Sequence, residues 1–286
     1  MIPGMTVVLY EDARAFQRAV ASVLQEFEAE NNLMLGLIDT LVRRWPDRCL
    51  YNDQPALMAG LVDDQDHGLV LGAAVMTPPH RLILSRAPAG MLTQLITALD
   101  GAGTTLPGVN GPKRVVQDFA ACWRSRPGRT ATLQRGLLIY QLDQVTQLQR
   151  SPGALRVAVP ADLPVLGPWS EDFDRATASS SRRQLEQLVA AGQVVIWQSP
   201  AGVPLAMAAW LARTRAGVRI GNVYTPPALR GQGFASAAVA ALSQQLLDEG
   251  RRFCFLYTEI SNPTSNHIYQ VIGYHVVCTC QEWQLT

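Results

Sequence analysis

Lysine is almost missing from this sequence of 286 residues, because Lys113 is the only lysine among 24 basic residues. Acidic residues number 23, so the formal net charge is +1, and no basic run occurs anywhere along the chain. A protein that binds nucleic acid or an anionic membrane surface usually concentrates positive charge in one patch or run. We therefore expect neither kind of partner.

Long apolar runs are also missing. A membrane-spanning helix needs ~18–20 consecutive apolar residues, and no stretch of the sequence approaches that length. The first residues carry Glu11 and Asp12 and lack the layout of a signal peptide. The sequence therefore predicts a cytoplasmic protein that does not enter the membrane.

Cysteine is scarce and odd in number, so we do not expect a disulfide framework to support the fold. The five residues are Cys49, Cys122, Cys254, Cys278 and Cys280. The spacing of Cys278 and Cys280 suits one face of a strand, and no histidine cluster accompanies them. We therefore predict no metal site.

The composition, 48% hydrophobic and 16% charged, is that of an ordinary globular protein with one large domain or two smaller ones. Ser151-Pro152-Gly153 is the strongest break in the pattern. We predict two domains, over residues 1–148 and 153–286.

The second half alternates between strand and helix patterns. The predicted strands lie at 155–159, 194–197, 204–212, 218–225 and 253–258, with one or two more over 274–285. The predicted helices lie at 161–175, 180–191, 233–249 and 263–272. This order indicates a mixed α/β (α+β) fold with helices on a mainly antiparallel sheet.

The first half repeats a similar order with weaker signals. Helices are predicted at 12–30, 33–43, 90–99 and 113–124, and strands at 68–76, 81–85 and 135–142. Residues 101–112 are rich in glycine and proline and are predicted to form a loop.

The segment from Val223 to Ser236 carries the clearest chemical signal. An apolar strand runs into Pro226-Pro227, where ladder pairing must stop because proline has no N–H to donate. The glycines at 231 and 233 then let several backbone N–H groups turn toward one point, directly before a helix rich in alanine. Such a bend suits a diphosphate. A tight strand-to-helix turn with no ligand is the alternative.

These residues resemble a known family. Arg230-x-x-Gly233-x-Ala235 after Val223-Tyr224-Thr225 resembles the coenzyme A pyrophosphate loop of the GNAT superfamily of N-acetyltransferases. A second signature, Asn262 to Tyr274, resembles the segment after the fifth strand of that superfamily. The resemblance covers about residues 155–286. It implies tandem acyl-CoA N-acyltransferase-like (GNAT) domains, the first of them degenerate.

The resemblance also implies a set of residues that bind acetyl-CoA as co-substrate. Backbone groups of Val223 and Thr225 would pair with the pantetheine arm, and the amides of 231–236 would hold the diphosphate. The implied set is Val223, Tyr224, Thr225, Arg230, Gly231, Gln232, Gly233, Phe234, Ala235, Ser236, Asn262 and Asn266.

Tyr269 is the implied catalytic residue, placed to protonate the departing thiolate as an amine attacks the thioester. A core aromatic is the alternative interpretation of Tyr269, and a simple helix cap is the alternative for Asn262.

One feature departs from the family pattern. Many relatives carry a carboxylate on the strand before the loop, but here that strand reads Val218-Arg-Ile-Gly-Asn222. Candidates for the base are Glu259, Glu171, Asp172 and Asp174. Loss of the base leaves a non-catalytic acyl-CoA-binding or regulatory module as the alternative to an enzyme.

The acceptor is predicted to be a primary amine, on a small molecule or a peptide. A nearly neutral chain gives no preference among them. The chain is predicted to be a monomer or a homodimer, with its first half acting as a built-in dimer partner.

Overall fold

The computed structural model describes residues 5–63, 65, 68–146, 151–177 and 182–286. The chain divides into two compact units. One comprises Met1–Ile139 with Val277–Thr286, and the other comprises Tyr140–Val276.

The first unit is an α/β arrangement of strands and helices. Its elements are β1 (Met5–Leu9), α1 (Ala13–Glu26), α2 (Asn32–Arg44), β2 (Leu57–Asp63), β3 (Leu69–Met76), β4 (Leu82–Leu84), α3 (Ala89–Gly101), β5 (Gly108–Pro112), α4 (Lys113–Arg124) and most of β6 (Ala131–Leu142). Strands β1 to β4 pair antiparallel in succession, and β4 pairs with β5 in parallel.

The second unit follows the same plan. Its elements are β7 (Ala154–Val157), α5 (Leu163–Thr177), α6 (Arg182–Ala190), β8 (Val194–Gln198), β9 (Pro204–Arg213), β10 (Gly217–Tyr224), α7 (Phe234–Asp248), β11 (Phe253–Glu259), α8 (Pro263–Ile272) and the start of β12 (His275–Leu285). Strands β7 to β10 pair antiparallel in succession, and β10 pairs with β11 in parallel.

The order of elements is therefore repeated. In each unit one strand, two helices and three strands are followed by helix, strand, helix and strand, and a parallel pair falls at the same place. The mixed α/β fold, its mainly antiparallel sheet and its tandem construction, all predicted from the sequence, are confirmed.

The glycine-rich stretch at 101–112 is where the loop prediction is wrong. Residues 108–112 form β5, which pairs with Cys280 to Gln284 of β12. A Cβ atom at Gly108 would lie 2.3 Å from the Trp283 carbonyl oxygen, so glycine is required here by close strand packing. The sequence also assigned no strand to β1 or β2.

The pairing of β12 with β5 also bears on the division of the chain. Because of this pairing, residues 277–286 group with the first unit, although the sequence-based division places them in the domain over 153–286. The two predicted domains, 1–148 and 153–286, stay a prediction as independent folding units.

The core of the second unit fixes the strands that carry the candidate site. Leu166 of α5 and Leu188 of α6 pack with Ile196 and Met207 of the sheet, and Tyr224 at the end of β10 joins this cluster. Helix α7 is buried along its small residues, among them Ala237, Ala238 and Ala240. Since alanine has little bulk, α7 can pack closely against its surroundings.

Neither a membrane-spanning helix nor a metal-binding cluster is found among the described residues. No helix in these ranges has the length and apolar character needed to cross a membrane. Likewise, no group of three or more histidine, cysteine, aspartate or glutamate side chains in these ranges is placed to hold a metal ion.

Candidate functional site

Strands β10 and β11 are parallel neighbours that separate partway along their length. They pair at three positions, from Gly217 opposite Phe253 to Arg219 opposite Phe255. Beyond that point β10 runs on to Tyr224 and β11 to Glu259, with no further pairing between them among the described residues. The gap between residues 220–224 and 256–259, here called the β10–β11 cleft, exposes strand backbone that an extended ligand can pair with.

The opposite side of β10 is irregular at the same level. Its pairing with β9 shifts register between Gly221 and Tyr224, and Asn222 adopts a φ of 49°, in the left-handed region. Asparagine tolerates this conformation better than most residues that carry a Cβ atom. The bulge therefore takes the backbone at 222 and 223 out of the ladder and changes its direction beside the cleft.

The bend after β10 leaves a row of amides without a protein acceptor among the described residues. Gly231 and Gly233 have φ values of 79° and 80°, and Gly233 is the N-cap of α7. Within the described ranges, no backbone N–H from Gly231 to Ser236 donates to a protein acceptor, and the first amide to do so is that of Ala237, to the Gly233 carbonyl at 2.9 Å. Together with the helix N-terminus, this bend can hold a multiply charged anion.

Side chains fix the bend without using those amides. Arg230 donates from Nε to the Thr225 carbonyl oxygen at 3.1 Å, and its guanidinium lies 5.8 Å from the centre of the Tyr224 ring. Ser151 donates from Oγ to the Gln232 carbonyl oxygen at 3.2 Å. Both contacts use carbonyl groups of the segment, so its N–H groups stay available to a ligand.

Two buried oxygen atoms beside the cleft lack a partner in the described part of the chain. They are Oγ1 of Thr225, directly after β10, and Oδ1 of Asn266, in α8 after β11. The Asn266 amide nitrogen donates to the carbonyl oxygens of Glu259 and Ile260, both at 3.3 Å. A buried polar atom without a partner is costly, so both oxygens favour a ligand that donates hydrogen bonds.

Asn262 caps α8. Its Oδ1 accepts from the Ser265 N–H at 3.0 Å, which confirms the helix-cap interpretation. The cap uses the oxygen and not the amide nitrogen, so a contact from Asn262 to a ligand stays a prediction.

Tyr269 is buried on α8, with 8% of its surface exposed. Its ring centre lies 6.1 Å from that of Tyr140 and 5.9 Å from that of Tyr274, so it is also a core aromatic. Burial raises the pKa of its hydroxyl to about 12. The hydroxyl is therefore protonated at neutral pH, as a proton donor must be. Its catalytic role stays a prediction.

Asp172 is the best-defined of the four candidate bases. Its carboxylate accepts a hydrogen bond of 2.9 Å from the Tyr224 hydroxyl and pairs with Arg175 at 2.7 Å. The Tyr224 hydroxyl and then Arg175 lower the pKa of Asp172, which makes this carboxylate a weak base. Glu171 is exposed, and Glu259 lies at the end of β11.

Comparison with known proteins agrees with the resemblance drawn from the sequence. Residues 201–284 match the family model described as FR47-like protein, and this stretch includes the glycine bend, β11 and α8. A search of curated proteins finds no match.

Solved structures share the arrangement over nearly the whole chain. A GCN5-related N-acetyltransferase from Sphaerobacter thermophilus aligns over 99% of this chain and 95% of its own, with a TM-score of 0.64 and 17% identity. An acetyltransferase of the GNAT family from Colwellia psychrerythraea aligns over 98% of both chains, with a TM-score of 0.56 and 13% identity. The chain has the GNAT fold.

The tandem form of the GNAT fold is also found among solved structures. A tandem GNAT protein from the clavulanic acid biosynthesis pathway aligns over 99% of this chain and 98% of its own, with a TM-score of 0.52 and 12% identity. Identities this low establish a common fold, and the chemistry has to be argued from the residues of this chain.

The two GNAT-like units differ at the bend. After β4 the first unit continues as Ser85 to Pro88, and Ser85 accepts a hydrogen bond on Oγ from the Ala73 N–H at 2.8 Å. A Cβ atom at Gly72 would lie 2.6 Å from the Arg86 carbonyl oxygen, so this segment packs directly on β3. No glycine with positive φ occurs among the described residues between Gly68 and Gly103. The glycine bend therefore belongs to the second unit.

The sequence pattern alone does not single out three features of this GNAT-type site. They are the left-handed Asn222, the contact between Tyr224 and Asp172, and the partly buried Arg219. The one signal for these features in the sequence is an arginine within an apolar strand. The sequence shows that this strand lacks a carboxylate, but it gives the arginine no role.

Proposed function

We propose that the protein transfers an acetyl group from acetyl-CoA to a primary amine. The row of unpartnered amides from Gly231 to Ser236 carries this proposal, because it offers six donors at a helix N-terminus beside the β10–β11 cleft. A diphosphate matches those donors in charge and in number of acceptors.

The residues around the β10–β11 cleft would bind the part of acetyl-CoA that lies beyond its diphosphate. The backbone of Val223 and the N–H of Thr225 would pair with the amides of the pantetheine arm, and the oxygens Oγ1 of Thr225 and Oδ1 of Asn266, unpartnered among the described residues, would accept from its donors. Arg230, directly before the bend, and the amide nitrogen of Asn262, at the start of α8, would add further contacts.

The transfer needs little beyond positioning and proton movement. Bound acetyl-CoA supplies the thioester; the amine nitrogen forms the new C–N bond, and the C–S bond breaks. Tyr269 donates its proton to the departing sulfur. The amine loses one proton to solvent, and solvent returns one proton to Tyr269. One amine and one thioester thus give one amide and one thiol. Holding the two reactants together supplies much of the rate.

A non-catalytic acyl-CoA-binding or regulatory module is the second candidate. The strand from Val218 to Asn222 carries no carboxylate, and the lowered pKa of Asp172 makes it a weak substitute. Binding of coenzyme A with no thiol release against a broad panel of amines would favour this candidate over an enzyme.

The test is calorimetric titration with acetyl-CoA and, in parallel, with S-acetylpantetheine, which has the same thioester but no diphosphate. We expect acetyl-CoA to bind and S-acetylpantetheine to bind at least about 100-fold more weakly, because the charge-assisted contacts at the bend are lost. Lack of acetyl-CoA binding at hundreds of micromolar, or equal affinity for the two, would overturn the proposal.

The acceptor amine is proposed to belong to a small molecule or a peptide. A monomeric or homodimeric state and a cytoplasmic location stay predictions of the sequence.

A further inference from the structure

Arg219 is the last residue of β10 that pairs with β11 before the two strands separate, so it marks the closed end of the β10–β11 cleft. Asn222, at the bulge, is three positions further along the strand, a distance of about 10 Å. An arginine side chain extends several ångströms from the backbone. That length is enough for the guanidinium to meet a ligand that enters the closed end of the β10–β11 cleft.

The guanidinium of Arg219 has no anionic partner. Its Nε is fully enclosed and has no hydrogen-bond partner, and no carboxylate within the described ranges pairs with it. Tyr257 on β11 is the group that interacts with its charge, and burial lowers the pKa of Arg219. The residue keeps part of its surface exposed, although Nε is enclosed.

This environment differs from that of two other arginines in the second unit, Arg156 and Arg175. Arg156 pairs with Asp162 at 2.7 Å, and Arg175 pairs with Asp172 at 2.7 Å. Buried arginines are normally paired, because the charged form otherwise loses its hydration without compensation. An anion brought by a ligand would provide that compensation at Arg219.

We propose that Arg219 determines acceptor specificity by binding a carboxylate of the substrate, so that the preferred acceptors are amino acids or other amines that carry a carboxylate. The inference rests on the proposed acetyl transfer and names its substrate class. A planar guanidinium binds a carboxylate through two parallel hydrogen bonds, which would also orient the amine. The absence of a carboxylate from residues 218–222 fits the same picture, since a nearby acidic side chain would neutralise Arg219.

The test is to react a paired panel of amines with acetyl-CoA and to measure the rate at which the thiol is released. Each amino acid is matched with its amide and with the amine that lacks the carboxyl group, for example glycine with glycinamide, and β-alanine with propylamine. We expect kcat/KM to be higher for the carboxylate member by roughly 10- to 100-fold. In Arg219→Gln that preference should disappear, and Arg219→Lys should restore part of it.

Arg213→Gln is the matched control, because it removes the same charge from an exposed arginine at the end of β9. It should leave the preference unchanged. Calorimetry of the same amines against the protein saturated with coenzyme A gives a readout that does not depend on turnover, and Arg219→Gln should lose the preference there as well.

The outcomes separate the two proposals. Turnover or binding without preference for the carboxylate member, or a preference that survives in Arg219→Gln, overturns the role of Arg219 and leaves acetyl transfer standing. A protein that does not bind acetyl-CoA refutes the proposed function itself. If the protein binds coenzyme A and carboxylate-bearing amines but releases no thiol, Arg219 is supported as the binding site for the amine. The same result refutes the proposed acetyl transfer.

Discussion

The Tyr224 hydroxyl donates a hydrogen bond of 2.9 Å to Oδ2 of Asp172. This contact ties the end of β10, just before the glycine bend, to helix α5. Trp169 on the same helix packs against the Tyr224 ring, with the ring centres 6.0 Å apart. The strand end that leads into the bend is thus held by one polar and one aromatic contact.

We predict that Asp172→Asn does not change how the rate of thiol release depends on pH near neutrality. The lowered pKa of Asp172 keeps it ionised and weakly basic, so it should not be the group that accepts the proton of the amine. The change in kcat is expected to stay within about threefold. Loss of the acidic limb of the pH profile in this variant would instead identify Asp172 as the base.

The same shift predicts an effect on acid unfolding. Because the folded pKa lies below the ordinary value of 3.8, Asp172 stabilises the protein above that pH and loses this contribution as the pH falls through the folded pKa. Asp172→Asn should therefore unfold with a weaker pH dependence below about pH 4, as measured by circular dichroism. An unchanged dependence would contradict the contact.

Gly231→Val should abolish coenzyme A binding without unfolding the protein. Gly231 and Gly202 both have a φ of 79° and both have open space around the added Cβ atom, so Gly202→Val carries the same backbone strain at a hairpin far along the chain. Both variants should lose a similar free energy of unfolding, about 1–2 kcal/mol. Only Gly231→Val should lose binding in calorimetry; equal binding by the two variants would show that the bend does not hold the ligand.

Thr225→Val should weaken acetyl-CoA binding by roughly 5- to 10-fold, through loss of one hydrogen bond. Valine has nearly the same shape, and Oγ1 has no protein partner within the described residues, so the free energy of unfolding should stay the same or rise. Comparing calorimetry with urea unfolding separates the two effects. A variant that loses stability but keeps its affinity would mean that Oγ1 serves the fold.

Tyr269→Phe should lower kcat by about 100-fold while the dissociation constant of acetyl-CoA stays the same, because a proton donor acts only as the C–S bond breaks. Tyr274→Phe is the control. It removes a hydrogen bond of 2.8 Å to Ser243 and should cost about 1 kcal/mol of stability without changing kcat. Unchanged turnover in Tyr269→Phe would refute the acid role.

The sequence predicts an element well where the residues of that element alone indicate its type and its ends. Helix α4 was predicted over 113–124 and has those bounds, and the helix predicted over 263–272 is α8. Strand β5 was missed because Gly108 and Gly111 break the local signal, and the requirement for glycine comes from Trp283 and Leu84, which are distant in sequence. Strands β1 and β2 were missed as well.

The sequence by itself determined the order of the second half, the place of the glycine bend and the small-residue helix behind it, because proline, glycine and alanine restrict or free the backbone locally. The tertiary structure alone decided that β10 and β11 separate after Arg219, that Asn222 takes a left-handed conformation, and that Oγ1 of Thr225 and Oδ1 of Asn266 are enclosed without partners among the residues the structure describes. These features depend on pairing and burial between segments far apart in the chain, which local residue preferences do not encode.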